Sequence, residues 1–186
     1  MIGVDEVGRG AWAGPLLVVA ARLKEYLDFP EGLTDSKMLT KKQKEQIYQE
    51  LLYVCTFGEG WVDVQEIDTL GLGAALKVGC MRAVAGLGDV ENEDICIDGK
   101  VNYLSDVYEK SFARVGADMT EPIVSAASVY AKVVRDKKMT ALHYELPQYG
   151  FRNHVGYGTQ EHVAALKAYG VSEHHRKSFK PIMELL

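Results

Sequence analysis

The chain has 186 residues, 47% hydrophobic and 25% charged, which is enough for one compact domain whose core needs neither disulfides nor a structural metal. No apolar run approaches the roughly 20 residues of a membrane helix, and the opening apolar stretch runs into Asp5 and Glu6 rather than a leader cleavage site, so a soluble, unprocessed chain is expected. The net charge of -5 speaks against a uniformly basic polyanion binder, but it is unevenly spread: Tyr130 to Leu186 holds nine Lys/Arg against five Asp/Glu and all five histidines.

Met1 to Val4 and Leu16 to Ala21 are apolar runs joined by the glycine-rich segment Gly8 to Gly14, which reads as two strands of a hairpin. Thr40 and Gln43 form a capping box ahead of Ile47, Leu51 and Leu52, predicting a helix over 41–52. Tyr53 to Val62 is aromatic and β-branched, a third strand. Asp63 and Glu66 open another helix, expected over 64–87, with Gly71, Gly73 and Gly79 either weakening it or permitting close packing. Asp94 to Asp98 is a short buried strand ending at a carboxylate, and Ser111 to Val115 another. Thr120 and Pro122 start a helix whose apolar face is Ile123, Ala126, Ala127, Tyr130, Val133 and Val134, and Thr159 to Tyr169 closes at Gly170 as the last. A meander followed by alternating strands and helices predicts an α/β fold, a mixed sheet with helices on both faces and a small helical C-terminal part. Leu146 to Gly158 is the longest irregular stretch and a candidate functional loop.

Cys55, Cys80 and Cys96 are widely spaced and odd in number, which argues against a disulfide framework or zinc site and for reduced core residues in a cytoplasmic protein. The chemistry lies with the acids. Asp5 and Glu6 follow one apolar strand and Asp98 ends another; if those strands are parallel neighbours, the carboxylates meet in the crevice where open α/β sheets bind ligands. Clustered carboxylates repel, and hard divalent ions with oxygen ligands relieve the repulsion. Two such ions, Mg²⁺ or Mn²⁺, suit an in-line attack of water on a phosphodiester. Two readings stay open for the residues alone: adjacent strand positions face opposite ways, so Asp5-Glu6 also fits a solvated acidic turn, and Asp118 fits an N-terminal helix charge.

The ordered series Asp5-Glu6-Val7-Gly8-Arg9-Gly10, Ala13-Gly14-Pro15, Asp35-Ser36-Lys37-Met38-Leu39, Glu66-Ile67-Asp68, Ile97-Asp98-Gly99, Ala117-Asp118, Ser125-Ala126-Ala127-Ser128, Gly156-Tyr157-Gly158-Thr159 and His175-Arg176-Lys177-Ser178-Phe179 resembles the ribonuclease HII family across nearly the whole chain. The resemblance implies a single ribonuclease H-like catalytic domain over 1–186, with a substrate-contacting segment at about 141–186. It implies four metal-binding catalytic carboxylates, Asp5, Glu6, Asp98 and Asp118, holding two divalent cations. The implied activity cuts the RNA strand of RNA/DNA hybrids and nicks duplex DNA 5′ of embedded ribonucleotides, leaving 3′-hydroxyl and 5′-phosphate ends. Gly8, Arg9 and Gly10 would read the ribose 2′-hydroxyl, Tyr157 would stack on the adjoining deoxyribose, and Lys37 and Arg176 would meet phosphate. Gly116, Gly71 and Met38 depart from the family pattern, where Lys, Asn and a second Lys are usual.

Three other readings fit less well. A ribonuclease HIII would carry an additional N-terminal domain and lack Arg9. A nucleotide switch would need a phosphate-binding Gly-x-x-x-x-Gly-Lys loop, which the sequence lacks. A binding module without catalysis would gain nothing from carboxylates that weaken phosphate contacts. A monomer with no membrane contact and no tail for a sliding clamp is expected.

Overall fold

The computed structural model describes residues 1–33 and 39–186; Lys37 and most of the 35–39 motif lie outside the described residues. Strand β1 (Ile2–Val7) pairs antiparallel with β2 (Leu16–Leu23), which pairs antiparallel with β3 (Cys55–Val62). On its other side β1 runs parallel to β4 (Ile95–Asp98), followed by β5 (Ser111–Arg114), giving the order β3-β2-β1-β4-β5. The parallel partnership that the acidic residues required is therefore present. Val4 lies opposite Ile97, so Asp5 and Asp98 are the next residues along the two strands.

The sheet carries apolar residues on both sides because both are covered. Ile2, Val4, Val18, Ala20, Ile95 and Ile97 pack against Cys80, Ala83 and Val84 of helix α3 (Leu72–Ala85). Leu17, Val19, Ala21 and Cys96 take the opposite face, which alternation along a strand requires, beneath α1 (Lys41–Val54) and the long α5 (Pro122–Glu145). All three cysteines are buried and unpaired.

Helix α1 begins with the expected capping box: the Gln43 amide donates to Thr40 Oγ1 at 3.3 Å and the Thr40 amide to Gln43 Oε1 at 3.0 Å. The single helix expected over 64–87 is instead two, α2 (Val64–Leu70) and α3, broken at Gly71, whose φ of 78° leaves the helical region. One short turn, α4 (Ala117–Thr120), precedes Pro122. Beyond α5 the irregular stretch folds into a 3₁₀ turn (Pro147–Tyr149) and α6 (Phe151–His154), followed by α7 (Gln160–Tyr169) and α8 (Lys180–Met183). These segments share a separate cluster of Tyr149, Phe151, Ala165, Leu166 and Ile182 with Met139 and Leu142 from the end of α5. No helix among the described residues is long and apolar enough to cross a membrane.

Helix α3 lies so close on β3 that glycine is required where they cross. A Cβ on Gly60 would come within 1.9 Å of the Gly79 carbonyl oxygen, whereas one on Gly73 meets nothing within 4 Å. Gly60→Ala should lower stability by about 2–3 kcal/mol, as overpacking against backbone does, while Gly73→Ala, in open space on a helix, should raise it by about 0.5–1 kcal/mol. Urea unfolding of the pair checks this, and a neutral Gly60→Ala would show that the two elements can separate freely.

Candidate active site

A cleft of about 390 Å³ lies over the end of β1 and is lined by Asp5, Glu6, Gly8, Arg9, Asp98 and Tyr157 together with Lys44, Ser128 and Lys132. Asp5 and Glu6 keep the alternation of a strand: Asp5 shares the side of α5, where Ser128 hydrogen-bonds its carboxylate, whereas Glu6 acts electrostatically on Cys80 of α3. Both reach one cleft because β4 ends at Asp98 while β1 continues to Val7. Past that point no strand among the described residues pairs with β1 on this side.

The acids sit in a field of their own charge. Burial, then the neighbouring Glu6, then Asp98 push the Asp5 carboxyl well above the usual carboxylate range, against the Ser128 hydrogen bond. Burial, with Asp98 adding, also raises Glu6, although Arg9 opposes it through an Nη1 to Oε1 contact of 3.4 Å. Each carboxylate is turned onto a protein donor. Asp5 Oδ1 accepts the Glu6 amide at 2.8 Å, and Asp98 Oδ1 accepts the Ala117 amide at 2.8 Å. Among the described residues no three His, Cys, Asp or Glu side chains close into a ready-made metal-ligating group. The donor chemistry nevertheless fits hard divalent cations: the acidic ligands offer oxygen only, and two of them are held in a protonation-prone state that cationic charge would reverse.

Asp118 is placed differently from the other three acids. It is buried at 4% exposure and is not among the residues lining the cleft. Its neighbour Ala117 supplies the amide that orients Asp98, and its own carbonyl accepts the Ser125 hydroxyl at 2.7 Å.

Two loops close the other side. The Trp12 amide donates to the Gly156 carbonyl at 2.8 Å, and a Cβ on Gly10 would stand 4.0 Å from the Tyr157 ring, so Gly8-Arg9-Gly10 and Tyr157 face one another. A Cβ on Gly156, where φ is 88°, would meet the Ala13 carbonyl oxygen at 2.3 Å; glycine there lets the loops touch. Tyr157 is partly exposed.

Arg176, expected to meet phosphate, is placed inside the protein. The side chain is fully enclosed, with Nε and Nη2 donating to the Gly14 carbonyl at 3.0 and 2.9 Å and Nη1 to the Arg9 carbonyl at 3.0 Å. Arg135, also fully buried, donates to the carbonyls of Pro15 at 2.9 Å, Val155 at 2.9 Å and Ala13 at 3.4 Å. Neither forms an ion pair among the described residues, and burial pushes Arg176 down to about 9, with Arg135 contributing. Sequence reasoning gave Arg135 no role, because nothing in a helical run of mixed charge marks one arginine as buried. Val155, a β-branched residue at φ 45°, is held in that conformation with its carbonyl on Arg135.

Histidines brace Tyr157 from behind. The Ser172 amide donates to His175 Nδ1 at 3.0 Å, so His175 Nε2 carries the proton shared with His162 Nε2 at 3.1 Å. The remaining His162 Nδ1–H donates to the Tyr157 carbonyl at 3.1 Å. Burial lowers both imidazoles to about 4, keeping the relay neutral.

A family model described as Ribonuclease HII matches residues 2–182. A Ribonuclease HII of Wolbachia sp. subsp. Brugia malayi (strain TRS) is 40% identical over 97% of this chain and 88% of its own. One of Burkholderia mallei (strain SAVP1) is 42% identical over 98% and 84%. The solved ribonuclease H2 from Pyrococcus horikoshii OT3 superposes with a TM-score of 0.79 at 26% identity, covering 99% of this chain and 95% of that one.

Arg135→Met keeps the apolar stem and removes every donor to three carbonyls. Each buried acceptor left unsatisfied costs about 1–3 kcal/mol, so stability should fall by about 3 kcal/mol or more, read by thermal unfolding. A loss below about 1 kcal/mol would mean that water replaces the guanidinium and that the loops do not depend on it.

Proposed function

The chain belongs to the ribonuclease HII family and is a metal-dependent ribonuclease H hydrolase, and on that premise we propose that it both degrades the RNA strand of RNA/DNA hybrids and nicks duplex DNA on the 5′ side of an embedded ribonucleotide. The cut leaves 3′-hydroxyl and 5′-phosphate ends. The observation that supports this reading most is the meeting, in one cleft, of the acids Asp5, Glu6 and Asp98 with the glycine-rich loop and Tyr157.

Asp5, Glu6, Asp98 and Asp118 are the residues proposed to hold a pair of divalent cations. Bound there, Mg²⁺ or Mn²⁺ supplies the charge that lets buried carboxylates stay ionised, and activates water beside the scissile phosphate. The protein's own contribution is placement. Ser128 and the Ala117 amide orient Asp5 and Asp98, and Arg9 steadies Glu6. The Gly8-Arg9-Gly10 backbone, bare of Cβ at Gly10 where it faces Tyr157, lets a ribose edge approach. A 2′-hydroxyl both donates and accepts hydrogen bonds, which a deoxyribose at the same place does not. The Tyr157 ring supports the next sugar, with Arg135 lying 5.8 Å from its centroid. The segment 141–186 takes part in substrate contact by presenting this tyrosine.

The decisive substrate is a DNA duplex carrying one ribonucleotide, assayed with and without Mg²⁺ or Mn²⁺ and with the product ends mapped. Asp5→Asn and Asp98→Asn should each lower cleavage on the order of 10³-fold, the loss of several kcal/mol of transition-state stabilisation, with hybrid affinity nearly retained. Near-normal turnover in either variant would sink the assignment. Tyr157→Ala should slow nicking at a single ribonucleotide by about tenfold, the scale of one lost stacking contact, and more than it weakens binding to plain duplex DNA. Equal losses would reduce the ring to a structural anchor.

A further inference from the structure

The cleft does not end at the acids. Lys44 and Lys132, which line it, also line a second depression of about 770 Å³ between α1, α5 and α6. There they are joined by Lys41, Lys137, Arg152 and Tyr144, so five cations face two carboxylates, Glu45 and Asp136, in a chain whose net charge is -5. Concentration of positive charge on one concave surface continuous with an acidic reaction cleft is not what a solvated helix face produces. Lysines scattered for solubility would be interspersed with acids on all sides.

Both carboxylates occupy positions that restrain the lysines rather than cancel the groove. Glu45 holds Lys137 at 3.0 Å and Asp136 holds Lys132 at 2.9 Å. Lys137 also lies 4.3 Å from the centre of the Tyr48 ring. On α5 the residues Lys132, Asp136, Lys137, Thr140 and Tyr144 recur at helical spacing along one face. Lys132 to Tyr144 covers about 18 Å at 1.5 Å per residue, the axial length of about five base pairs.

We propose that this groove is the track for the sugar-phosphate backbone of the duplex as it leaves the cleft, Lys41, Lys137 and Arg152 being phosphate contacts that position about five nucleotides beyond the reaction site. The proposal rests on the nuclease reading above and extends it: the acids cut, the glycine loop and Tyr157 select, and the groove supplies affinity without reading sequence. The groove adds a net excess of positive charge beside a cleft in which Asp5, Glu6 and Asp98 are met by Arg9, Lys44 and Lys132, and such an excess is what holds a polyanion.

The test uses the full chain with Lys41, Lys137 and Arg152 changed together to alanine. All three are exposed, and none belongs to the cleft. Binding is measured without divalent cation, on a long duplex with a central ribonucleotide and on duplexes that end about two base pairs from it on either side. On the long duplex the triple variant should bind at least about tenfold more weakly, with the slope of log K against log salt shallower by about 2–3, roughly 0.9 per lost phosphate contact. On the duplex truncated on the groove side it should match the unaltered protein. Glu45→Lys should act in the opposite sense and tighten the long duplex.

An unchanged salt slope, or an equal loss on every duplex length, overturns the groove. Cleavage is followed separately. If the unaltered protein binds but cuts neither hybrid nor junction, the nuclease reading fails, while the length and salt dependence still decide the groove.

Discussion

Two guanidinium groups enclosed among backbone carbonyls hold together the glycine loop after β1 and the loop that carries Tyr157. Arg176 reaches the carbonyls of Arg9 and Gly14, and Arg135 those of Ala13, Pro15 and Val155. Between them they fix five carbonyls of two loops that come from opposite ends of the chain. A lysine could not take this place: its ammonium is a compact point charge, whereas the planar fork of arginine spreads several donors in fixed directions. Removing such a cation from water is costly unless its protons are used, and here carbonyl dipoles use them. Glycine at 8 and 14 makes the arrangement possible, since a Cβ on Gly8 would fall 2.2 Å from Arg135 Nε, and one on Gly14 2.4 Å from the Met139 sulfur.

From that anchor the rest of the site follows. The glycine loop is the continuation of β1, so fixing it fixes Asp5 and Glu6 at the strand's end. The second loop brings Tyr157 opposite Gly10 and rests on the neutral relay from His175 through His162. The precision of the cleft therefore comes from a sheet on one side and buried polar contacts on the other, and the acids gain no stability from being there. Their repulsion is a cost carried by the folded state, as is usual where groups are arranged for chemistry rather than for packing.

The overall acidity of the chain and its proposed polyanionic substrate are reconciled by separation in space. Acids gather where β1 and β4 end, and cations gather in the groove between α1, α5 and α6. A mean charge conceals this, because a field at a surface depends on which residues are neighbours and falls away within about 10 Å at moderate salt.

Much of the fold was legible in the sequence. Continuous apolar runs marked the hairpin and the strand before Asp98, and the Thr40–Gln43 box marked the start of α1, because these signals depend on residues close along the chain. The break at Gly71 was only half visible, since a glycine in a helical pattern is compatible with a cap or with close packing; Gly71 serves as the first, and Gly79, pressed against Val18 and Gly60, as the second. The motifs likewise pointed to Asp5, Glu6, Asp98 and Tyr157, which the fold brings to one cleft. What the sequence could not decide was which charges face water. Arg176 and Arg135 are written with the same letter as Arg9 and Arg152, yet two are enclosed and two are exposed. That difference depends on contacts of which all but the one from Arg135 to Val155 join positions more than a hundred residues apart, and only tertiary packing creates them.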